Sequence, residues 1–423
     1  MILRKAPPVH LTYCLNVHPG ETWEAVFGNV RDKACAVRDR IETDGPFGLG
    51  LRLGQEAATQ LQGPGVLEEF AAFLKQENLY VFTLNGFPYG RFHQAGLKEK
   101  VYQPDWRTAS RRDYTVQLAD LLAVLLPDGQ EGSISTVPGS FKPWIIRPGE
   151  EQRMVERLVE CVAHLAALHD RTGKLIHLGL EPEAGCTLET TAETIAFFEE
   201  RLLKTGRAFL TRRRGCSPDQ AEAEIRRHLG VCFDACHAAI QFEELEPSLQ
   251  AFRSAGLRVS KVQLSAALEV HNERSQLEAL RPFVEPVYLH QVKARTRMGT
   301  LRSWNDLPDA LRDIHPRGEV ERIRIHFHVP LHWHGDHLLG TTASQLTPAF
   351  LKAACADPVT HLEIETYTFD VLPDPIRAAD VVESVAQEYR WVLDRILPVL
   401  EASPSATPAA RPAAPPRAVQ EQA

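Results

Sequence analysis

The sequence predicts an α/β fold of the (β/α)8 barrel type, and three observations carry that prediction. Short β-type runs alternate along the chain with amphipathic helical stretches. The polar residues of those runs fall on one face of each strand. They also crowd toward the strands' C-terminal ends. Alternation of this length argues for parallel βαβ units, and eight such units close a barrel whose active site lies at the C-terminal ends of its strands.

The β-type runs are HLTYCLNV, FGLGLRL, LYVFTLN, GSISTV, KLIHLGLE, GVCFD, VSKVQLS, IRIHFHV and HLEIETY. Helical patterns between them include GVLEEFAAFLKQEN, RMVERLVECVAHLAALHDRTG and TAETIAFFEERLLKTG. With PVYLHQVKA the β-type runs number ten, two more than a simple barrel takes. The excess is assigned to an elaboration between residues 283 and 320. A second insertion, near residues 90–130, follows the third strand and is expected to cover the barrel mouth. Residues 1–401 are thus read as one barrel with two insertions. Residues 402–423 are rich in Ala, Pro and Ser and hold nothing that could form a core, so they are read as a disordered tail.

Composition excludes some functions. The chain has 423 residues, 44% of them hydrophobic and 24% charged, which suits a full core. The net charge of −8 disfavours binding to a phosphate backbone. The N-terminus, MILRKAPPVHLTYCLNVHPG, lacks the apolar region and cleavage site of a signal peptide. No apolar run approaches the ~18 residues that a membrane helix needs. Eight scattered cysteines without CxxC pairing point to reduced thiols and a cytoplasmic location.

The polar strand faces define a candidate site. His177 and Glu181 share one face of their strand, Cys232 and Asp234 another, and Gln263 and Ser265 a third. Arg324, His326 and His328 line up on IRIHFHV, and Glu363, Glu365 and Tyr367 on HLEIETY. Asn16 and His18 end the first strand and Asn85 the third. Such ionisable groups, turned into a barrel, would cost several kcal/mol each if left unpaired, and converging carboxylates would repel one another. One divalent cation removes both penalties. An oxygen-rich donor set suits Mg²⁺ or Mn²⁺, and more histidine suits Zn²⁺. Ordinary structural roles compete at each position. Glu181 could be a loop residue, Asp234 a helix N-cap with His237 in the same turn, Gln263 a structural hydrogen-bonder, and Glu363 with Glu365 solvated edge residues. The run HFHVPLHWH places His326, His328, His332 and His334 at spacings that could hold zinc. No cysteine or HExxH context accompanies them, so His328 is preferred as a group that contacts substrate.

Glu181 in L-x-L-E-P-E, Asp234 and His237 in D-x-x-H, Gln263 on the next strand and Glu365 in E-x-Y follow one another in an order that resembles the xylose-isomerase-like sugar isomerases and epimerases. The resemblance implies a single metal (Mn, Mg, Co or Zn) held by Glu181, Asp234, Gln263 and Glu365. Two departures stand out: Gln263 takes the place of a commoner histidine, and Glu363 shares a face with Glu365. More narrowly, LTYCLNVHPGETW, FTLNGFPYGRFH, STVPGSFK, LGLEPEAGC, CFDACH, YLHQVKAR, HFHVPLHW and EIETYTFDVLP resemble the EboE-type metabolite traffic proteins over nearly the whole chain short of the tail. That resemblance implies a role in the synthesis or export of a secondary metabolite, beside other enzymes of one gene cluster.

If the chain is an enzyme, a metal would polarise an oxygen of a polyol- or sugar-like substrate, and Glu181 or Glu365 would move a proton at the adjacent carbon. Asn16, His18, Asn85, Tyr89, Lys142, His237 and His328 are the candidates to orient the substrate; Lys142 and His93 could also meet an anionic group, though each alone is more often a solvated loop residue. Two other readings stay open. One is a metabolite-binding protein without turnover. The other is an apurinic-endonuclease-like phosphodiesterase, which would need several zinc ions and a basic face.

Overall fold

The computed structural model describes residues 1–402 apart from Asp44 and Pro375; all but the first residue of the tail assigned above lies outside the described residues. Fourteen strands are numbered here in chain order: β1 Ile2–Lys5, β2 Pro8–Tyr13, β3 Phe47–Arg52, β4 Leu79–Asn85, β5 Glu131–Thr136, β6 Leu175–Leu180, β7 Leu229–Asp234, β8 Arg258–Leu264, β9 Ala267–His271, β10 Val292–Thr296, β11 Leu301–Trp304, β12 Val320–His328, β13 Gly340–Thr341 and β14 Thr360–Ile364.

Eight of these form the barrel. The order β2-β14-β8-β7-β6-β5-β4-β3 is parallel throughout, and β1 adds an antiparallel edge to β2. The seam between β2 and β3 is joined by a parallel bridge between Cys14 and Gly50. Gly50 is required there, because a Cβ at that position would sit 2.8 Å from the Tyr13 carbonyl oxygen and against the Glu363 carboxylate. Helices cover the outside. The long pattern RMVERLVECVAHLAALHDRTG forms Glu150–Thr172, which buries its Leu, Val and Met stripe and stops at Gly173 with φ +71°.

IRIHFHV is not a barrel strand. It forms β12 of a separate five-stranded antiparallel sheet, ordered β11-β10-β12-β9-β13. This sheet lies between β8 and β14 in the chain and runs from Ala267 to Thr341, well beyond the 283–320 assigned from sequence. Alternating polarity specifies a strand with two unlike faces, and it serves a barrel wall and an antiparallel insertion equally. With IRIHFHV (β12) and PVYLHQVKA (which ends in β10) both placed in this sheet, the remaining eight runs are the barrel strands.

The polar faces point inward, as their alternation predicts. His361 on β14 reaches Ser133 on β5 (Nδ1–Oγ 2.9 Å), and His177 stacks on His361. One layer nearer the mouth, Lys261 Nζ donates to Glu363 Oε2 at 2.8 Å, with both side chains fully buried.

The helix Val381–Ala402 closes the outside near β14, and Glu388 on it is buried. Its Oε1 accepts from Thr366 Oγ1 at 2.6 Å and from the Leu331 amide at 3.0 Å. Burial pushes its carboxyl up to about 7, against those two hydrogen bonds. The protonated form therefore stabilises the fold fully below the unfolded value of about 4.3, and that contribution fades as pH rises through about 7. At about 1.4 kcal/mol per pH unit, the loss over that window amounts to about 4 kcal/mol. Glu388→Gln keeps an acceptor for both donors and cannot ionise. Urea melts at pH 4.5 and 7.5 should show the variant gaining on the wild type as pH rises; a constant difference would remove Glu388 from the pH dependence.

Candidate metal centre

Three carboxylates meet at the C-terminal mouth of the barrel. Glu181 follows β6, Asp234 ends β7 and Glu365 follows β14, and each offers an oxygen within 4.8 Å of the others. All three residues are buried. Glu181 Oε2, Asp234 Oδ2 and Glu365 Oε2 are each buried without a hydrogen-bond partner. Three desolvated acceptors with no donor are the arrangement that a cation resolves.

Their other oxygens are fixed. Asp234 Oδ1 accepts from the His237 amide and from Ser265 Oγ, both at 2.8 Å. Asp234 is thus the N-cap of the helix Ala235–Ile240, and its second oxygen, Oδ2, is left without a partner. Glu365 Oε1 accepts from Asn16 Nδ2 at 2.9 Å and from Asn85 Nδ2 at 3.4 Å. Glu181 Oε1 lies 3.9 Å from His237 Nδ1.

Electrostatics follow from this crowding. Burial, then the charge of Asp234, pushes the Glu181 carboxyl well above the usual range. Burial, then Glu181 and Asp234, does the same to Glu365. For Asp234 burial also pushes upward, but the imidazoles of His237 and His328 and the two hydrogen bonds outweigh it and hold the carboxyl low.

The remaining predicted residues divide into two groups. His237 and His328 lie beside Asp234, with ligand atoms within 4.8 Å of it. Gln263 is buried in β8, where its Oε1 accepts from the Cys232 thiol at 3.1 Å and its Nε2 has no partner. Glu363 pairs with Lys261 and takes no place among the three carboxylates. His18 is buried against the Tyr13 hydroxyl (2.9 Å), away from the cavity. Tyr89 packs edge-on to Tyr114, outside the cavity wall. Lys142 is half-exposed and pairs with Glu193, the acidic residue of a helix capping box. His93 bridges the Asn16 carbonyl oxygen and the Tyr288 hydroxyl.

A cavity of about 510 Å³ opens above the carboxylates. Its floor includes Glu181, Glu365, Glu183, His237 and His326, and its upper wall is apolar and aromatic, with Phe87, Phe92, Tyr288 and Tyr367. Phe92 and Tyr288 come from the two long insertions and pack together with ring centroids 5.2 Å apart. Sequence reasoning gave no role to Glu183, Tyr102 or Gln291. Glu183 accepts from Tyr102 Oη at 2.7 Å and from Gln291 Nε2 at 3.0 Å. The doubled glutamate of L-E-P-E was the available signal for Glu183.

No family model matches the chain, and no curated protein sequence matches it. Solved structures do. One is the IolI protein with a bound zinc atom: 11% identity, TM-score 0.47, covering 92% of this chain and 98% of that one. Another is the 3-keto-D-glucoside 4-epimerase YcjR of E. coli: 14% identity, TM-score 0.42, covering 91% and 99%. A third is a xylose isomerase domain protein from Alicyclobacillus acidocaldarius: 12% identity, TM-score 0.46, covering 93% and 99%. At this level they are neighbours in fold and assign no chemistry to this chain. No helix among the described residues is long and apolar enough to cross a membrane.

Proposed function

We propose that this chain is a divalent-metal-dependent enzyme of the sugar isomerase and epimerase kind, of the EboE type, acting on a small polyol-like metabolite. The convergence of three buried carboxylates, each with an unpartnered oxygen and two of them (Glu181 and Glu365) on the floor of one cavity, carries this reading. Eight unpaired cysteines agree with a reduced, cytoplasmic setting. Association with enzymes of the same gene cluster follows from the EboE resemblance alone.

Glu181, Asp234 and Glu365 would hold the ion. A bound Mg²⁺, Mn²⁺, Co²⁺ or Zn²⁺ supplies polarisation of a substrate carbonyl or hydroxyl oxygen. Asn16 and Asn85 fix Glu365, so Glu181 is the carboxylate with the fewest protein partners. It takes the proton from the carbon beside the carbonyl; the C–H bond breaks and a carboxyl O–H forms. Returned to the former carbonyl carbon, with the hydroxyl proton passing to the former carbonyl oxygen, the proton completes isomerisation; epimerisation would instead need a second acid to protonate the same carbon from the opposite face while Glu181 keeps the proton it took. Phe87, Phe92, Tyr288 and Tyr367 exclude water above the reacting carbons.

Metal analysis after reconstitution with Mn²⁺ or Zn²⁺ tests the site, and solvent deuterium exchange into a panel of ketoses and aldoses tests the chemistry. Glu181→Gln and Asp234→Asn are expected to lose the ion and the exchange together. A metal content in both variants equal to that of the wild type would remove the carboxylates from the site. An ion bound by the wild type, with ligand binding but no exchange, would favour a carrier of metabolites.

A further inference from the structure

We infer that His237, His326 and His328 form a second cation site, a nitrogen-coordinated one, beside the carboxylates. His326 Nε2 lies 3.1 Å from His237 Nε2 and 3.3 Å from His328 Nε2. All three rings are buried. These contacts cannot be ordinary hydrogen bonds between neutral rings, because every Nδ1 is already committed as a donor. His237 Nδ1 faces the Pro182 carbonyl oxygen at 3.0 Å, and His328 Nδ1 faces the Glu365 carbonyl oxygen at 2.8 Å. A backbone carbonyl only accepts, so both rings donate there and leave Nε2 bare.

His326 obeys the same logic through one more step. Its Nδ1 faces Gln291 Oε1 at 2.6 Å. The orientation of that amide is set by its other end, where Gln291 Nε2 donates to the Ala184 carbonyl oxygen at 2.9 Å and to Glu183 Oε1 at 3.0 Å. Its oxygen therefore faces His326, and His326 donates from Nδ1. The bare Nε2 of His326 then faces the bare Nε2 of both His237 and His328; beside it stand the Tyr367 hydroxyl at 3.4 Å and the Cys236 thiol, whose sulfur lies within 4.8 Å of ligand nitrogens of His326 and His328.

A metal ion resolves this arrangement. Ligand nitrogens held about 2.0–2.1 Å from a tetrahedral ion stand about 3.3 Å apart, the spacing that His326 shows to each of the other two rings. Imidazoles that donate Nδ1–H to an oxygen and present Nε2 inward are oriented as metal-ligating histidines are. The donor set favours Zn²⁺, Co²⁺, Ni²⁺ or Cu²⁺ over Mg²⁺. Asp234 joins the two sites, since it groups both with Glu181 and Glu365 and with His237 and His328. The inserted sheet gains a purpose as well: the end of β12 carries two of the three rings over the barrel mouth.

This inference rests on the proposed function only in treating the carboxylates as a neighbouring site, and the test separates the two. Metal-free protein titrated with Co²⁺ is expected to bind two ions per chain, one of which gives the intense visible bands of a low-coordinate, nitrogen-ligated cobalt. The pair His326→Gln and His328→Gln should leave one ion and abolish those bands. Glu365→Gln should remove the other ion and keep the bands, and if it removes nothing, the carboxylate proposal fails while the imidazole site stands. A wild type that binds one ion, lost equally in the histidine and glutamate variants, would overturn the inference, as would bands that survive loss of both histidines. X-ray absorption of the zinc-loaded wild type needs no variant to fold: imidazole scattering is expected, and its absence would also overturn the site.

Discussion

Lys261→Met is expected to destabilise the fold by about 3–5 kcal/mol, the largest loss foreseen for any single change away from the barrel mouth. Lys261 and Glu363 form an ion pair at 2.8 Å in which both side chains are fully buried. Burial lowers the lysine's proton affinity, but the charge of Glu363 outweighs this and holds the ammonium above its ordinary range. The ammonium has two further acceptors at 3.4 Å, the Leu84 carbonyl oxygen and Ser135 Oγ, so it ties β8 to β14, β4 and β5 across the barrel. A methionine fills much the same volume and leaves a buried carboxylate without a counter-charge. The double variant Lys261→Met, Glu363→Gln removes that stranded charge and should recover most of the loss. Urea unfolding of the four proteins in a double-mutant cycle measures this. A loss under about 1 kcal/mol for Lys261→Met, or a double variant no better than the single, would mean that the pair does not hold the barrel interior together.

That pair also shows how far the sequence can be read. Strand parity puts Lys261, Gln263 and Ser265 on one face of β8 and Glu363 and Glu365 on one face of β14, and the structure agrees. Parity says nothing about depth. Glu363 and Glu365 are two residues apart and look equivalent as a pattern, yet one lies a layer down against an ammonium and the other at the mouth against two asparagines. Glu181, Asp234 and Glu365 were legible because each ends a strand that has a plain β signature. His326 was harder to place. Its neighbours depend on β12 leaving the barrel count and joining an antiparallel sheet, and pairing partners over such separations are not written in local polarity. The aromatic wall was hidden for a related reason, since Phe92 and Tyr288 are far apart in sequence and meet only where two insertions touch. Lys142 illustrates the opposite error: a cation in a loop near a barrel mouth suggested an anion site, and its partner is a capping glutamate.

Glu365→Gln is expected to make the metal-free protein more stable while weakening metal binding at least ~100-fold, more than an outer-shell change costs. The two effects share one cause. In the metal-free fold Glu365 is buried and faces the charges of Glu181 and Asp234, so its proton is held well above the ordinary range. A raised carboxyl favours the fold below its unfolded value of about 4.3, and that contribution is lost as pH climbs through the folded value. Glutamine keeps an oxygen to accept from Asn16 and Asn85 and carries no charge at any pH. The variant's advantage should therefore open as pH rises, reaching about 1–3 kcal/mol at pH 8 in a chelator. With metal at a hundred times its dissociation constant, the wild type gains about 2.7 kcal/mol by mass action, and the order reverses wherever the variant's advantage is under about 2 kcal/mol. Thermal melts of both proteins at pH 5.5 and 8, with chelator and with Mn²⁺, read all four states. A natural site that pays stability for function has this signature: the residue that repels its neighbours most in the empty protein binds the shared cation most strongly. A variant less stable than the wild type in chelator at pH 8, and unchanged in metal affinity, would show that Glu365 serves the fold and not a cation.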